Sequence, residues 1–332
     1  NHQITCTGSL MRAHFLYPPS DEYQAHLESL LEKKIQLSYG EEIPAGEDIQ
    51  ILVAGRPKAH HFEANPTIDT LIIPWAGLPP ETAEVLKSFP QIKVHNIHHN
   101  AAPAAELAMA LLFAVAKEIL THDQTLRAGD WSMRYRESNS QLLAGRTALM
   151  LGYGEIGKLI KRYLTALGVE VHAIKRSASE TEQKGAIFPP SALKDLLPMA
   201  EILILALPLT PDTEGLISKK ELDLLPSNAI LINISRAVIV DQEALYIALK
   251  EKRIYGAGLD VWYNYPQTKE ERSKTSPANY PFHELDNVVM SPHRGGKVDA
   301  TETMRVEGVA DLLNAAAAGK PIPNPVDLKS GY

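Results

Sequence analysis

The sequence predicts an α/β protein of two domains, each built on a parallel β-sheet. Three observations predict it. Short apolar runs alternate with amphipathic stretches from Met11 onward, the pattern of strands joined by crossover helices. The chain has 332 residues, too many for one simple core and suited to two. Between Thr147 and Ser177 an apolar run enters a glycine-rich turn, then an amphipathic helix, then a second apolar run, a complete strand-turn-helix-strand unit.

In chain order, Arg12 to Tyr17 reads as a strand, Asp21 to Lys33 as a helix and Ile35 to Tyr39 as a strand. Ile49 to Ala54 and Thr70 to Ile73 are further strands, Pro80 to Ser88 is a helix, and Ile92 to His95 completes the first series. A near-continuously apolar helix is expected from Ala104 to about Arg127, buried between domains or between subunits. Gly129 to Gln141 is polar and aromatic and reads as a protruding connection. Further strands are expected at Glu201 to Ala206, Ala229 to Ile234, Tyr255 to Leu259 and Asn287 to Met290. Tyr263 to His283 is polar and contains proline, so it reads as a long loop. Asp299 to Ala318 reads as one amphipathic helix ended by Gly319 and Pro321.

Composition narrows the classes. A hydrophobic share of 45% and a charged share of 22% describe an ordinary globular protein. The net charge of −7, with no Lys/Arg cluster, argues against a nucleic-acid surface. No apolar run is long enough to span a bilayer. The single cysteine, Cys6, excludes an internal disulfide framework and fits a reducing cytoplasm. Residues 1–10 lack the layout of a signal peptide and are expected to be a leader or disordered tail.

The glycine-rich turn, Gly152-Tyr153-Gly154-Glu155-Ile156-Gly157, has the spacing of a dinucleotide-binding fingerprint. Gly152 permits the tight turn, Gly154 lets the backbone approach a pyrophosphate, and Gly157 lets helix and strand pack closely. The first N–H groups of the helix, at Glu155 and Ile156, then face the anion. NAD-binding units usually carry a carboxylate at the end of the second strand for the adenosine ribose; here Lys175, Arg176 and Ser177 stand there. Cations suit a 2′-phosphate, which favours NADP over NAD, against the plainer reading of a solvated basic turn.

Two further residues carry chemistry. Arg236 ends the strand in Asn233-Ile234-Ser235-Arg236, where its guanidinium can hold a carboxylate with a two-pronged hydrogen bond; an ion pair with Asp241 or Glu243 is the alternative. His293 follows another strand end and can trade a proton near neutral pH, as interconversion of a ketone and an alcohol requires. The twelve histidines include the adjacent pairs His60-His61 and His98-His99, which chelate poorly, and no metal-binding motif accompanies them, so no metal site is expected. His98 and His99 can instead contact substrate or serve as surface residues. Trp75, Tyr263 and Tyr265 can line an aromatic pocket or fill core and interface space.

The stretches LLAGRTALMLGYGEIG, LPLTPDTEGLI, INISRAVIVDQEAL, GAGLDVW and SPHRGG, in that order, resemble the D-isomer-specific 2-hydroxyacid dehydrogenase family, which includes formate dehydrogenase. The resemblance implies two Rossmann-like domains: a flavodoxin-like, discontinuous substrate domain at 11–106 plus 298–332, and an inserted dinucleotide-binding domain at 107–297. It implies a homodimer formed largely through the cofactor domains. It also implies hydride transfer between NADP or NAD and a small 2-oxo acid or (R)-2-hydroxy acid, of which glyoxylate and hydroxypyruvate are the default.

By the same resemblance Arg236 binds the substrate carboxylate, and His293 is the acid in reduction and the base in oxidation. Asp260 would touch the nicotinamide carboxamide, Leu207, Pro208 and Thr213 would line the adenosine-ribose side, and Ile234 would offer a backbone contact. The N–H groups of Ala76 and Gly77 would receive the substrate carboxylate, and Asn100 matches a formate-contacting asparagine. One position departs from the pattern. Most relatives carry a glutamate five residues after the aspartate of the GLDV stretch, and its charge raises the imidazole pKa; here that position is Tyr265. The departure implies a lower His293 pKa than in those relatives, unless Glu270 or Glu271 supplies the charge from the loop. It leaves two alternatives beside the reductase: formate oxidation, and a regulator that senses NAD(P)H without turnover.

Overall fold

The computed structural model describes residues 10–44, 46–176, 178–179 and 186–328; residues 1–9 of the expected tail at 1–10, and Ser177, lie outside them. The chain divides into two compact units, residues 1–100 with 297–332, and residues 101–296. The first seam therefore falls at 100/101, ahead of the expected 106/107. That boundary coincides with the start of the helix at Ala101.

The first unit contains β1 (Met11–Phe15), α1 (Asp21–Leu30), β2 (Ile35–Tyr39), β3 (Ile51–Val53), α2 (Ala59–Glu63), β4 (Thr70–Ile73), α3 (Pro80–Leu86) and β5 (Lys93–Asn96). Its strands are all parallel, in the order β2-β1-β3-β4-β5, which is the flavodoxin-like order. Period-two alternation sends Ile51, Val53 and Ile72 to one face and Leu52, Leu71 and Ile73 to the other. Both faces are covered by helices, which is why these strands are apolar throughout. The chain's last helix, α10 (Thr301–Ala317), covers the first of those faces with Val306, Val309 and Leu313.

The second unit runs α4 (Ala101–Ala116), α5 (Ile119–Arg127), β6 (Thr147–Leu151), α6 (Glu155–Ala166), β7 (Glu170–Ile174), β8 (Ile187–Phe188), α7 (Leu193–Leu196), β9 (Ile202–Leu205), α8 (Lys219–Leu222), β10 (Ile230–Asn233), α9 (Gln242–Lys250), β11 (Gly256–Leu259) and β12 (Val288–Met290). Its seven strands are parallel in the order β12-β11-β10-β9-β6-β7-β8. Order reverses between β6 and β9, the point at which doubly wound sheets bind ligands beyond their carboxyl ends. The two-residue edge strand β8 has too few residues to show a period.

The single helix expected from Ala104 to Arg127 is two. α4 stops at Ala116, and Glu118 adopts a left-handed conformation with φ 50°. The Gln141 N–H donates to the Ala116 carbonyl at 2.7 Å, and Lys117 Nζ donates to the Gln141 carbonyl at 2.6 Å, so a distant segment caps the helix. α5 contains no buried residue. The apolar α4 is buried within its own unit, against the sheet. A Cβ on Gly256 or Gly258 would lie 2.9 Å from Val115 Cγ1 or 2.8 Å from Leu111 Cβ, so the glycines of β11 admit this helix.

Candidate active site

The glycine-rich turn joins β6 to α6 at the reversal of strand order. Gly152 has φ +99°, and a Cβ there would meet the Ala206 carbonyl oxygen at 2.4 Å, at the end of the neighbouring β9. A Cβ on Gly157 would meet the Gly152 carbonyl oxygen at 2.5 Å. Gly154 caps α6, and nothing lies within 4 Å of where its Cβ would be. Two glycines thus close the turn and the third leaves open space before the N–H groups of Glu155 and Ile156. These residues fit a pyrophosphate.

Other expected cofactor residues surround this turn. Lys175 and Arg176 follow β7, with the Lys175 N–H donating to the Phe188 carbonyl at 2.9 Å. Leu207 and Pro208 follow β9; Thr213 Oγ1 donates to the Pro208 carbonyl at 2.8 Å and accepts the Thr210 N–H at 2.8 Å, so its hydroxyl staples the loop. The Ile234 N–H is taken by the Leu205 carbonyl at 3.3 Å, which leaves its carbonyl for a ligand.

Three loops leave the carboxyl ends of β10, β11 and β12, and buried polar groups hold each of them. Asn233, 2% exposed, accepts the Ser235 N–H and hydroxyl at 3.0 and 2.7 Å and donates to the Arg236 carbonyl at 3.1 Å. Arg236 is exposed, and its Nη1 donates to the Ser235 carbonyl at 2.7 Å. The ion pair with Asp241 or Glu243 does not form. Asp241 instead caps α9 by accepting the Ala244 N–H at 2.7 Å, and among the described residues Arg236 makes no salt bridge.

Asp260 is 1% exposed, and its carboxylate accepts three hydrogen bonds from the loop after β12: Ser291 Oγ at 2.5 Å, the Arg294 N–H at 2.8 Å and the Gly295 N–H at 2.8 Å. The Asp260 carboxylate is thus engaged with its own protein. The indole N–H of Trp262 donates to the Ser291 carbonyl at 2.8 Å. These contacts enforce the backbone of His293, a non-glycine residue at φ 56°. Sequence reading missed Ser291 and Trp262 as supports of that loop. Their signal was adjacency to His293 and Asp260, which does not say that two strand ends meet.

His293 Nδ1 lies 2.9 Å from the Tyr265 hydroxyl, which also accepts the Trp262 backbone N–H at 3.1 Å. Of the two loop carboxylates, Glu271 is engaged elsewhere, accepting the Gln267 N–H at 2.7 Å. Burial raises the Tyr265 pKa above the ordinary phenol value, with Asp260 adding to the rise and the Trp262 N–H and Arg236 opposing it. The phenol is neutral at physiological pH, and Arg236 is close enough to act on it electrostatically. The 263–283 loop is pinned rather than loose: Tyr263 Oη donates to the Val240 carbonyl at 2.8 Å, and the N–H groups of Tyr263 and Asn264 reach the Pro277 carbonyl at 3.1 and 2.9 Å.

The remaining candidates belong to the first unit. Ala76 and Gly77 follow β4, with Gly77 at φ +89°, and among the described residues neither N–H has a partner. Trp75 lies so close over Gly55 that a Cβ there would overlap its ring. Asn100 Oδ1 and His99 Nδ1 are buried without hydrogen-bond partners. Burial lowers the His99 pKa to about 4, with Arg305 and His98 adding. His61 accepts the Lys58 N–H at 2.9 Å and donates to the Glu41 carbonyl at 3.2 Å, a structural role. Among the described residues no group of three or more His, Cys, Asp or Glu could hold a metal ion, and no helix is long and apolar enough to cross a membrane.

Residues 109–295 match the model of the D-isomer specific 2-hydroxyacid dehydrogenase, NAD binding domain. A glyoxylate reductase of Thermococcus litoralis is 36% identical over 230 residues, 67% of this chain and 66% of that protein. A 2-ketogluconate reductase of Gluconobacter oxydans is 34% identical over 222 residues, 67% of each chain. The chain thus matches just under two thirds of the length of that glyoxylate reductase. Over 98% of this chain and 100% of the other, the fold resembles a D-isomer specific 2-hydroxyacid dehydrogenase from Xanthobacter autotrophicus solved with NADPH and MES, with a TM-score of 0.76 at 23% identity. The chain belongs to the D-isomer specific 2-hydroxyacid dehydrogenase family.

Proposed function

We propose that this protein is a nicotinamide-dinucleotide-dependent oxidoreductase that reduces a small 2-oxo acid to the (R)-2-hydroxy acid, in the manner of glyoxylate and hydroxypyruvate reductases. The observation that carries the reading is the grouping of Arg236, Tyr265 and His293 on loops from three adjacent strand ends, in the unit that holds the dinucleotide turn. A bound reduced nicotinamide supplies the hydride. The chain's own groups do the rest. Arg236 grips the substrate carboxylate and polarises the neighbouring carbonyl, and His293 exchanges a proton with the substrate oxygen through Nε2. The N–H groups of Ala76 and Gly77 receive the carboxylate, and Asn100 contacts the substrate.

In this reading residues 101–296 bind the dinucleotide and the other unit binds the substrate. Lys175 and Arg176 favour NADP over NAD because they offer charge to a 2′-phosphate. The protein works as a homodimer in the cytoplasm. The dimer is supported by the exposed apolar residues Ile119, Leu120, Leu126, Trp131 and Tyr135 on α5 and the turn after it. Formate oxidation is the second reading, favoured by the uncharged partner of His293 and by the unpartnered Oδ1 of Asn100. A non-catalytic sensor of NAD(P)H is the third.

Oxidation of NADPH and of NADH is followed with glyoxylate, hydroxypyruvate and phenylpyruvate, for wild type and for His293→Ala. Turnover that prefers NADPH and collapses in the variant is expected. Binding of NADPH with no turnover of any oxo acid would overturn the reductase reading and leave formate oxidation or sensing.

A further inference from the structure

The hydroxyl of Tyr265 has one hydrogen to give, and its surroundings direct it. The Trp262 backbone N–H points at the oxygen from 3.1 Å and can only donate, so it occupies a lone pair. Among the described residues the remaining partner of the hydroxyl is His293 Nδ1 at 2.9 Å, and a ring nitrogen can accept the proton. A histidine that accepts at Nδ1 while neutral must carry its own proton on Nε2. A carboxylate at the same position would impose the opposite arrangement, because it can only accept and therefore requires N–H at Nδ1.

We propose that Tyr265 is a positioning residue that holds neutral His293 as the Nε2–H tautomer, so that the protein is poised to donate a proton without first forming an imidazolium. This inference rests on the reductase reading for its consequence but not for its test. In the reductive direction substrate C2 receives the hydride and its two electrons from the reduced nicotinamide dinucleotide, and the carbonyl π pair moves to oxygen. That oxygen bonds to the Nε2 proton, Nδ1 takes the Tyr265 proton, and a phenolate remains until water returns a proton to it. An alkoxide is a far stronger base than a phenolate, whose conjugate acid has a pKa of about 10 in water, so the transfer runs toward product. The phenolate forms within range of the Arg236 charge and keeps the Trp262 N–H bond.

Among the described residues the charged groups that act on Tyr265 are Arg236 from the β10 end and Asp260 from the β11 end; Glu271 is turned to the Gln267 N–H. Asp260 already accepts three hydrogen bonds, two of them from the backbone of the histidine's own loop. It stabilises the loop's shape and supplies no proton acceptor to Nδ1.

The test is the ¹⁵N spectrum of histidine-labelled protein at about pH 8, with the His293 signals identified by their loss in His293→Gln. Wild type is expected to show an unprotonated Nδ1 and a protonated Nε2, and Tyr265→Phe a mixture. A protonated Nδ1 in wild type overturns the proposal whether or not any substrate is turned over. The second readout is the pH profile of reduction. Wild type should hold kcat/KM level from about pH 6 to 9, while Tyr265→Phe falls about tenfold per pH unit above its imidazolium pKa. A wild-type profile that falls in the same way overturns the relay. Failure of every oxo acid with the Nε2–H tautomer intact overturns the reductase reading alone.

Discussion

The Asp260 carboxylate and the Gly295 N–H are 2.8 Å apart in a site where the aspartate is 1% exposed and a Cβ on the glycine would lie 3.0 Å from the carboxylate oxygen. The aspartate thus acts as a clamp on the loop that carries His293, at a distance that keeps the glycine bare. Asp260→Ala would leave the buried Gly295 N–H, the part-buried Arg294 N–H and a serine hydroxyl without their acceptor, at a cost of up to about 1–3 kcal/mol for the buried group and less for the others. The urea midpoint should fall, and kcat should fall by at least tenfold as His293 leaves its left-handed backbone conformation. Asp260→Asn should retain more stability than the alanine variant.

Two glycines of the dinucleotide turn should separate by readout. Gly152→Ala forces a Cβ to 2.4 Å from the Ala206 carbonyl oxygen at φ +99°, so both stability and dinucleotide binding should drop. Gly154→Ala meets nothing within 4 Å. Its melting temperature should stay within a few degrees, while NADPH affinity measured by fluorescence titration falls about tenfold or more, because the methyl group occupies ligand space.

Cofactor preference should follow charge at the end of β7. Lys175→Asp replaces a cation with an acceptor for the ribose hydroxyls. The ratio of kcat/KM for NADPH to that for NADH should fall by about tenfold to a hundredfold, the range expected when a charge-assisted contact of about 1.5–3 kcal/mol is lost. An unchanged ratio would mean that the basic pair is a solvated turn.

Acid should destabilise the first unit. Burial, the largest cause in every case, lowers the pKa of His14, His61, His95 and His99 below the ordinary histidine value, and that of His99 to about 4. His14 lies within 2.8 Å of Ser38 Oγ and 2.9 Å of the Gly40 carbonyl oxygen. The unfolded chain takes up these protons near pH ~6.5 while the folded one does not, so the stabilisation is complete above that pH. It is lost as pH falls from there through each folded pKa. Urea midpoints should decline between pH 7 and 5, and His99→Asn should flatten the lower end of that curve.

The proposed homodimer makes a separate demand. Leu120→Asp places charge on an exposed apolar residue of a helix with nothing buried in its own unit. Sedimentation should show the wild type as a dimer and the variant shifted toward monomer. A monomeric wild type would remove this part of the proposal.

What the sequence by itself determined is what depends on neighbours along the chain. The strand runs, the glycine turn at 152–157 and the strand-end positions of Arg236 and His293 all follow from local periodicity and turn chemistry. The same local reading put one helix where there are two. The Gln141 backbone that caps α4 arrives from a connection beyond α5, and no period within 101–127 reveals it. Tertiary structure alone decided what faces His293. Tyr265 held the expected partner position with Glu270 and Glu271 as alternatives, and the joining of the β11 and β12 ends, through Asp260 and Trp262, set Tyr265 at Nδ1 and left Glu271 on the Gln267 N–H. It also gave Asp260 its role as a clamp, because a carboxylate's function depends on which donors surround it after the chain has packed, and those donors lie more than thirty residues away.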